Sequence, residues 1–191
     1  MNEDRPAPIV NLTFSHRWQQ AQILSARPLI LPNRHFVYPL EAEEVERGAL
    51  EVLIRYNETE QPFLATCALG FRDPAVPTGL WSAPNPDELC AVSGGYAYLI
   101  DATDPDRFTM IAFRPVLEVR AVLSENLLLF VGHHAILAWG RDGQGWKSDK
   151  LSDEGVTITR IEGATLHGQG WNMIADQEAP FTLDLKTGLR T

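Results

Sequence analysis

Three glycines, Gly94, Gly132 and Gly170, follow one another at intervals of 38 residues. This spacing constrains the fold more than any other feature of the chain. The segments around them align without a gap: DELCAVSGGYAYLIDATDPDRFTM, ENLLLFVGHHAILAWGRDGQGWKS and, over most of its length, GATLHGQGWNMIADQEAPFTLDL. Leu89 falls on Leu127, Ala97 on Ala135 and Phe108 on Trp146; Phe181 takes the same place once the third turn is shortened. A fixed period of this length marks an array of one supersecondary unit. The alternating runs VLEVRAVL and VTITRIE precede the second and third segments. Each unit therefore reads as strand, strand, Gly-containing turn, strand, polar turn, strand, with the three glycines at equivalent bends.

Local physical chemistry supports this parse. Leu127 to Val131 is an unbroken apolar run, as expected of a strand buried on both faces. From Val156 to Ile161 apolar and polar residues alternate, as on a half-exposed strand. DATDPDR and GRDGQG carry Asp, Pro and Gly, which tighten hairpin turns through local hydrogen bonds or positive φ. One four-stranded unit cannot bury its own apolar face, so neighbours must stack. The expected fold is all-β, built over residues 79–191 from repeated four-stranded antiparallel units of about 38 residues.

Residues 1–78 have a different texture and show no repeat. Ten of the 13 prolines precede residue 87, which breaks this part into short pieces. NLTFSHRWQQAQIL reads as a strand pair or a short helix, and ARPLILPNRHFVYPL as extended, because proline disfavours the α region in the residue before it. EAEEVER is the best helical candidate, although it spans barely two turns. GALEVLIRY and PFLATCALGF read as strands, and RDPAVPTGLWSAPNPDE as a long irregular connection. The N-terminal segment is expected to pack on the repeats within one structural domain.

LLLFVGHHAILAWGRDGQGWKS and the closing FTLDLKTG resemble the blades of β-propeller repeat proteins, of the quinoprotein type and more loosely of the WD40 type. Such blades carry a small-residue turn, an apolar strand, an Asp/Gly turn and an aromatic at the start of the outer strand. The resemblance covers about residues 79–191 and implies a propeller-like array, partial or open. No Trp-Asp dipeptide closes a strand, and the tryptophans do not repeat strictly. A β-sandwich of the same strands is the alternative.

A formal net charge of −9 and only three lysines disfavour a nucleic-acid partner, which requires clustered cations. No apolar run is long enough to cross a membrane. MNEDRPAPIVNLTF has acidic residues and prolines where a signal peptide needs a basic start and an apolar run, so the expected location is cytoplasmic. Cys67 and Cys90 lie in apolar runs outside any C-x-x-C pattern and read as buried free thiols rather than a disulfide.

His133-His134 is the most conspicuous candidate pair, but it aligns with Gly95-Tyr96 and Trp171-Asn172, positions of one recurring turn. A turn tip tolerates histidine without a ligand role, so no metal site is expected there. The Asp-rich turns lack the oxygen ligands of a calcium loop. No G-x-S-x-G or H-E-x-x-H motif occurs, and no helix follows Ser93-Gly94-Gly95 to cradle a phosphate. Trp81, Trp139, Trp146 and Tyr98 read as core, and Glu41, Glu43, Glu44 and Glu46 as a solvated face. In propellers the turn between a blade's second and third strands faces the ligand-binding end. By that resemblance Tyr96, His133, His134, Trp171 and Asn172 line one binding rim. The expected function is a non-catalytic ligand- or protein-binding or scaffold module, with no cofactor. The alternative is a hydrolase or lyase whose cleft lies between the N-terminal segment and the repeats. A third reading is a structural or regulatory protein that acts by oligomerisation through its acidic N-terminal part.

Overall fold

The computed structural model describes residues 6–40 and 47–191; the acidic run over 41–46, with most of the expected helix EAEEVER, lies outside them. The described residues form sixteen β-strands and no α-helix. The chain divides into two compact units, Met1–Pro115 and Val116–Thr191. None of the described helical segments is long and apolar enough to cross a membrane.

The first unit contains two sheets. β6 (Gly79–Ser82), β7 (Glu88–Ser93), β8 (Tyr96–Asp101) and β9 (Phe108–Met110) form an antiparallel meander, and β1 (Ile9–Asn11) adds to β6 in parallel. β6 is the strand hidden in the proline-rich connection over 72–88. Its first residue must be glycine, because a Cβ there would collide with the Ile9 carbonyl of β1. The second sheet has the order β2 (Gln20–Ile23), β4 (Ala49–Arg55), β5 (Phe63–Ala68), β3 (His35–Tyr38). NLTFSHRWQQAQIL thus supplies short strand segments and no helix. β2 and β3 are both parallel to β5 and lie at opposite edges, so residues 24–34 cross the sheet.

Period-two alternation decides what each strand buries. Leu50, Val52 and Ile54 of β4, Phe63, Ala65 and Cys67 of β5, and Tyr38 of β3 share one face. They pack against Leu80 of β6, Leu89 and Ala91 of β7, and Tyr98 and Ile100 of β8, so the two sheets are face to face. Two tyrosine hydroxyls are satisfied within this core, Tyr38 on the Pro105 carbonyl at 2.7 Å and Tyr98 on the Ala68 carbonyl at 3.0 Å. Cys67 and Cys90 are buried free thiols.

The second unit repeats the meander in β10 (Glu118–Val122), β11 (Leu127–Val131), β12 (Ile136–Gly140) and β13 (Gly143–Lys147). Leu128, Leu129, Phe130 and Val131 are all buried, as the apolar run requires. A three-stranded sheet follows: β14 (Val156–Glu162), β15 (Thr165–Asn172) and β16 (Gln177–Asp184). Leu129, Val131 and Ala138 pack on Val156, Ile158, Leu166 and Phe181, with Trp146 in the same core. The Trp146 indole N–H donates to the Leu185 carbonyl at 2.6 Å.

The third repeat departs from the expected parse. Gly94 sits at a tight turn with φ 56°, and Gly132 opens the bend between β11 and β12, its N–H on the Ala135 carbonyl at 2.9 Å. Gly170 instead lies within β15, paired with Val156 and Ala179, and the turn comes at residues 173–176. Its glycine answers a packing demand: a Cβ would collide with the Leu151 carbonyl oxygen and come within 2.8 Å of the Ser152 Cβ. The 38-residue spacing therefore marks equivalent bends twice, and a close backbone approach the third time.

Candidate functional site

The second unit holds four of the five expected rim residues, and Ser152 and Asp153 tie two of them, His134 and Trp171, together. His133 and His134 are exposed in the β11–β12 bend, their ring centroids 6.2 Å apart. His134 Nδ1 lies 3.1 Å from the Ser152 carbonyl. A carbonyl only accepts, so Nδ1 carries a proton in this contact. Ser152 Oγ in turn accepts the Trp171 N–H at 2.9 Å, and the Asp153 N–H donates to the Trp171 carbonyl at 2.8 Å. Asp153 also takes the Met173 N–H at 2.8 Å. Its carboxyl is held below the usual range, chiefly by the Lys150 ammonium and then by the Met173 N–H. Asn172 Oδ1 is engaged locally, capping the β15–β16 turn through the N–H groups of Ile174 and Ala175, each at 3.0 Å.

Tyr96, the fifth expected residue, belongs to the first unit and is buried. The Arg114 guanidinium sits 5.0 Å above its ring, and Phe71 meets it edge-on at 5.9 Å. This places Tyr96 in a packed cation–π and aromatic cluster.

A cavity of about 540 Å³, also in the first unit, escaped the sequence reading. Pro6, Pro8 and Val10 form one wall, and Ile23, Leu50 and Leu69 contribute further apolar surface. Four polar residues join them: Ser25, Glu51, Thr78 and Ser93. Thr78 Oγ1 is positioned by the Gly94 N–H at 2.9 Å. The Ser93 hydroxyl is fully buried and has no hydrogen-bond partner among the described residues. Buried hydroxyls are normally satisfied, so this one is an exception within the packed interior.

Glu51 links this cavity to a polar network on the outer face of β4 and β5. Thr66 is fully buried, and its hydroxyl donates to Glu51 Oε2 at 2.6 Å. With its one proton committed there, Thr66 Oγ1 accepts from His35 Nε2, 2.8 Å away. His35 is therefore the Nε2–H tautomer. Burial first, then Arg27, lowers its pKa, while Glu51 pulls the other way. Arg27, on the crossover segment, brings Nε to 3.9 Å from Glu51 Oε1. Glu51, Thr66 and His35 supply the three group types of a nucleophilic triad but not its order, because the hydroxyl, not the imidazole, stands in the middle, is enclosed, and directs its proton to the carboxylate. The geometry is that of a structural relay.

Burial also pushes the Cys67 and Cys90 thiols well up, which removes thiolate nucleophiles from the first unit. No group of three or more His, Cys, Asp or Glu side chains is placed to hold a metal ion among the described residues. No known protein family, characterised protein or solved structure matches the chain.

Proposed function

We propose that the protein is a non-catalytic binding module built from propeller-type blades, and that it receives a small molecule in the cavity of its first unit. The strand order of the two meanders, β6 to β9 and β10 to β13, is what the blade resemblance rests on. The observation that carries the binding reading is the cavity itself, mainly apolar in its lining with Ser25, Glu51, Thr78 and Ser93 as the polar residues among those described. A volume of about 540 Å³ lies within the range of roughly 300–1,000 Å³ common to ligand pockets. Acid–base catalysis would call for paired titratable groups, whereas Glu51 is the one titratable residue among the described residues that line the cavity. This favours binding over the hydrolase or lyase reading.

Thermal-shift screening with small amphiphiles tests the assignment, because a ligand of the native state raises the melting temperature. Ser25 is exposed at the cavity mouth, so Ser25→Trp should fold normally and abolish the shift. Equal responses from the variant and the original protein would refute the cavity as the site.

A second reading concerns the rim of the second unit. Met173 and Ile174 project from the β15–β16 turn beside Trp171, Ile174 at 99% exposure, and exposed apolar groups of this kind suit a protein partner. His133, His134, Trp171 and Asn172 would frame that contact. Replacing Met173 and Ile174 with serine should then weaken capture of such a partner without affecting small-molecule shifts.

A further inference from the structure

We propose that the ligand of the first-unit cavity is a short extended peptide, which pairs with the open edge of β1 and places apolar side chains in the cavity; this rests on the small-molecule binding reading above. β1 is an edge strand with β6 as its one neighbour among the described strands. The Ile9 N–H donates to the Thr78 carbonyl at 2.9 Å, on the β6 side. In a trans peptide the C=O points opposite to the N–H, so the Pro8 carbonyl is turned away from β6. The Ile9 carbonyl faces β6, where a Cβ at Gly79 would strike it. By the same planar geometry the Val10 N–H is turned outward. The N–H and C=O of one strand residue face the same side, so the Val10 carbonyl is outward too. Among the described residues none of these three groups has a hydrogen-bond partner.

The cavity runs along this edge. Pro6, Ala7, Pro8 and Val10 all line it. Successive side chains of an extended chain point to opposite faces, so the neighbours 6, 7 and 8 share one cavity where it follows their backbone. Val10 is 60% exposed, so its own chain leaves it uncovered. Ile23, Leu24, Leu50 and Leu69 give the cavity further apolar surface for a ligand's side chains. At about 30 Å³ per water-sized unit, the volume of about 540 Å³ holds roughly 15 non-hydrogen atoms, enough for two valine-sized side chains and the backbone between them. An amphiphile would fill the apolar space and leave the Pro8 and Val10 backbone groups to water. A peptide satisfies both demands, because strand addition joins main-chain hydrogen bonds to pockets for alternate side chains.

The experiment is calorimetric titration of the whole chain with three probes: acetyl-trivaline-amide, the same peptide methylated on every amide nitrogen, and phenylbutanol, which reads the apolar cavity alone. The unmethylated peptide should bind about 5- to 100-fold more tightly than its methylated form, the range of two backbone hydrogen bonds, to the Pro8 and Val10 carbonyls. Val10→Pro removes the outward N–H, a change an edge strand tolerates because its ladder to β6 does not use that group. Val10→Ala shortens the side chain and keeps the N–H. The proline variant should bind the peptide about 2- to 10-fold more weakly than the alanine variant, with phenylbutanol bound alike by both. Equal peptide affinity in the two variants would overturn β1 as the pairing strand. Equal affinity for the two peptides in the original protein, with phenylbutanol bound, would overturn the peptide assignment and leave the cavity as a binding site. No binding by any probe would overturn both. Should Val10→Pro fail to fold, the comparison of the two peptides in the original protein still decides.

Discussion

Thr66→Val tests the polar network behind the cavity wall. Valine matches threonine in shape, so the substitution opens no void in β5 and removes only the hydroxyl. Two hydrogen bonds disappear with it: the donation to Glu51 Oε2 at 2.6 Å and the acceptance from His35 Nε2 at 2.8 Å. A bond to a charged group contributes about 1.5–3 kcal/mol and a neutral one about 0.5–1.5 kcal/mol. Because Glu51 is buried and Thr66 fully enclosed, water cannot restore these bonds cheaply. The expected loss is therefore about 2–4 kcal/mol. With a denaturant slope near 2 kcal/mol per molar urea, the midpoint should fall by about 1–2 M. Hydrogen exchange of β4 and β5 amides should accelerate in parallel. The double variant Thr66→Val with Glu51→Leu removes the stranded carboxylate as well, and should be more stable than Thr66→Val alone. A cost below about 0.5 kcal/mol for Thr66→Val, or a double variant less stable than the single, would refute a buried and coupled network.

Three further outcomes follow from the same geometry. Burial, then Arg27, holds His35 below its ordinary 6.5, so the unfolded chain takes up this proton at higher pH than the folded chain. The stability tied to the neutral ring is complete above about 6.5 and is lost as pH falls through the lower folded value. His35→Gln keeps a donor for Thr66 and should flatten the fall in unfolding free energy over that window; an unchanged slope would assign it to another group. Cys67 and Cys90 should resist a thiol reagent in the native state and both react in guanidinium, and a rapid native reaction would contradict their burial. Gly170→Ala should lower the melting temperature and shift the His134 ring resonances, since the methyl would displace Leu151 and Ser152, which hydrogen-bond His134 and Trp171. Unperturbed histidine signals would show that the two turns are not coupled through that segment.

The strands were legible in the sequence wherever one physical pattern acted alone. GALEVLIRY and PFLATCALGF became β4 and β5, and the Asp-rich turns proved to be hairpin turns: Asp101 Oδ1 accepts the N–H groups of Thr103 and Asp104 at 2.9 and 3.2 Å. β6 was illegible because Pro77, Pro84 and Pro86 surround it, although its own four residues are all buried. Gly170 misled for a related reason. A glycine signals either positive φ or close backbone approach, and sequence alone does not distinguish the two. The long β15 carried straight through Gly170, so the turn expected there came instead at residues 173–176, with Met173 and Ile174 on it.

The cavity was hidden for a deeper reason, which follows from how strands advertise burial. In β4 the apolar residues Leu50, Val52 and Ile54 alternate with Ala49, Glu51 and Leu53, and a glutamate on the second set reads as the solvent face of a half-exposed strand. Glu51 became buried through residues distant in sequence, on the crossover that carries the chain from β2 to β3 and brings Arg27 over the outer face. That crossover is forced by topology. Two strands at opposite edges of one sheet, both parallel to β5, cannot be joined by a hairpin. The meanders have no such connection, and their strands fill the interior with close-packed side chains. The first unit therefore gains a roomy, mainly apolar site where its chain departs from the repeating pattern. If so, shortening the crossover between Ala26 and Asn33 should expose Glu51 and abolish small-molecule binding, while the β6–β9 meander keeps its slow amide exchange. Retained binding in the shortened chain would show that the crossover does not build the site.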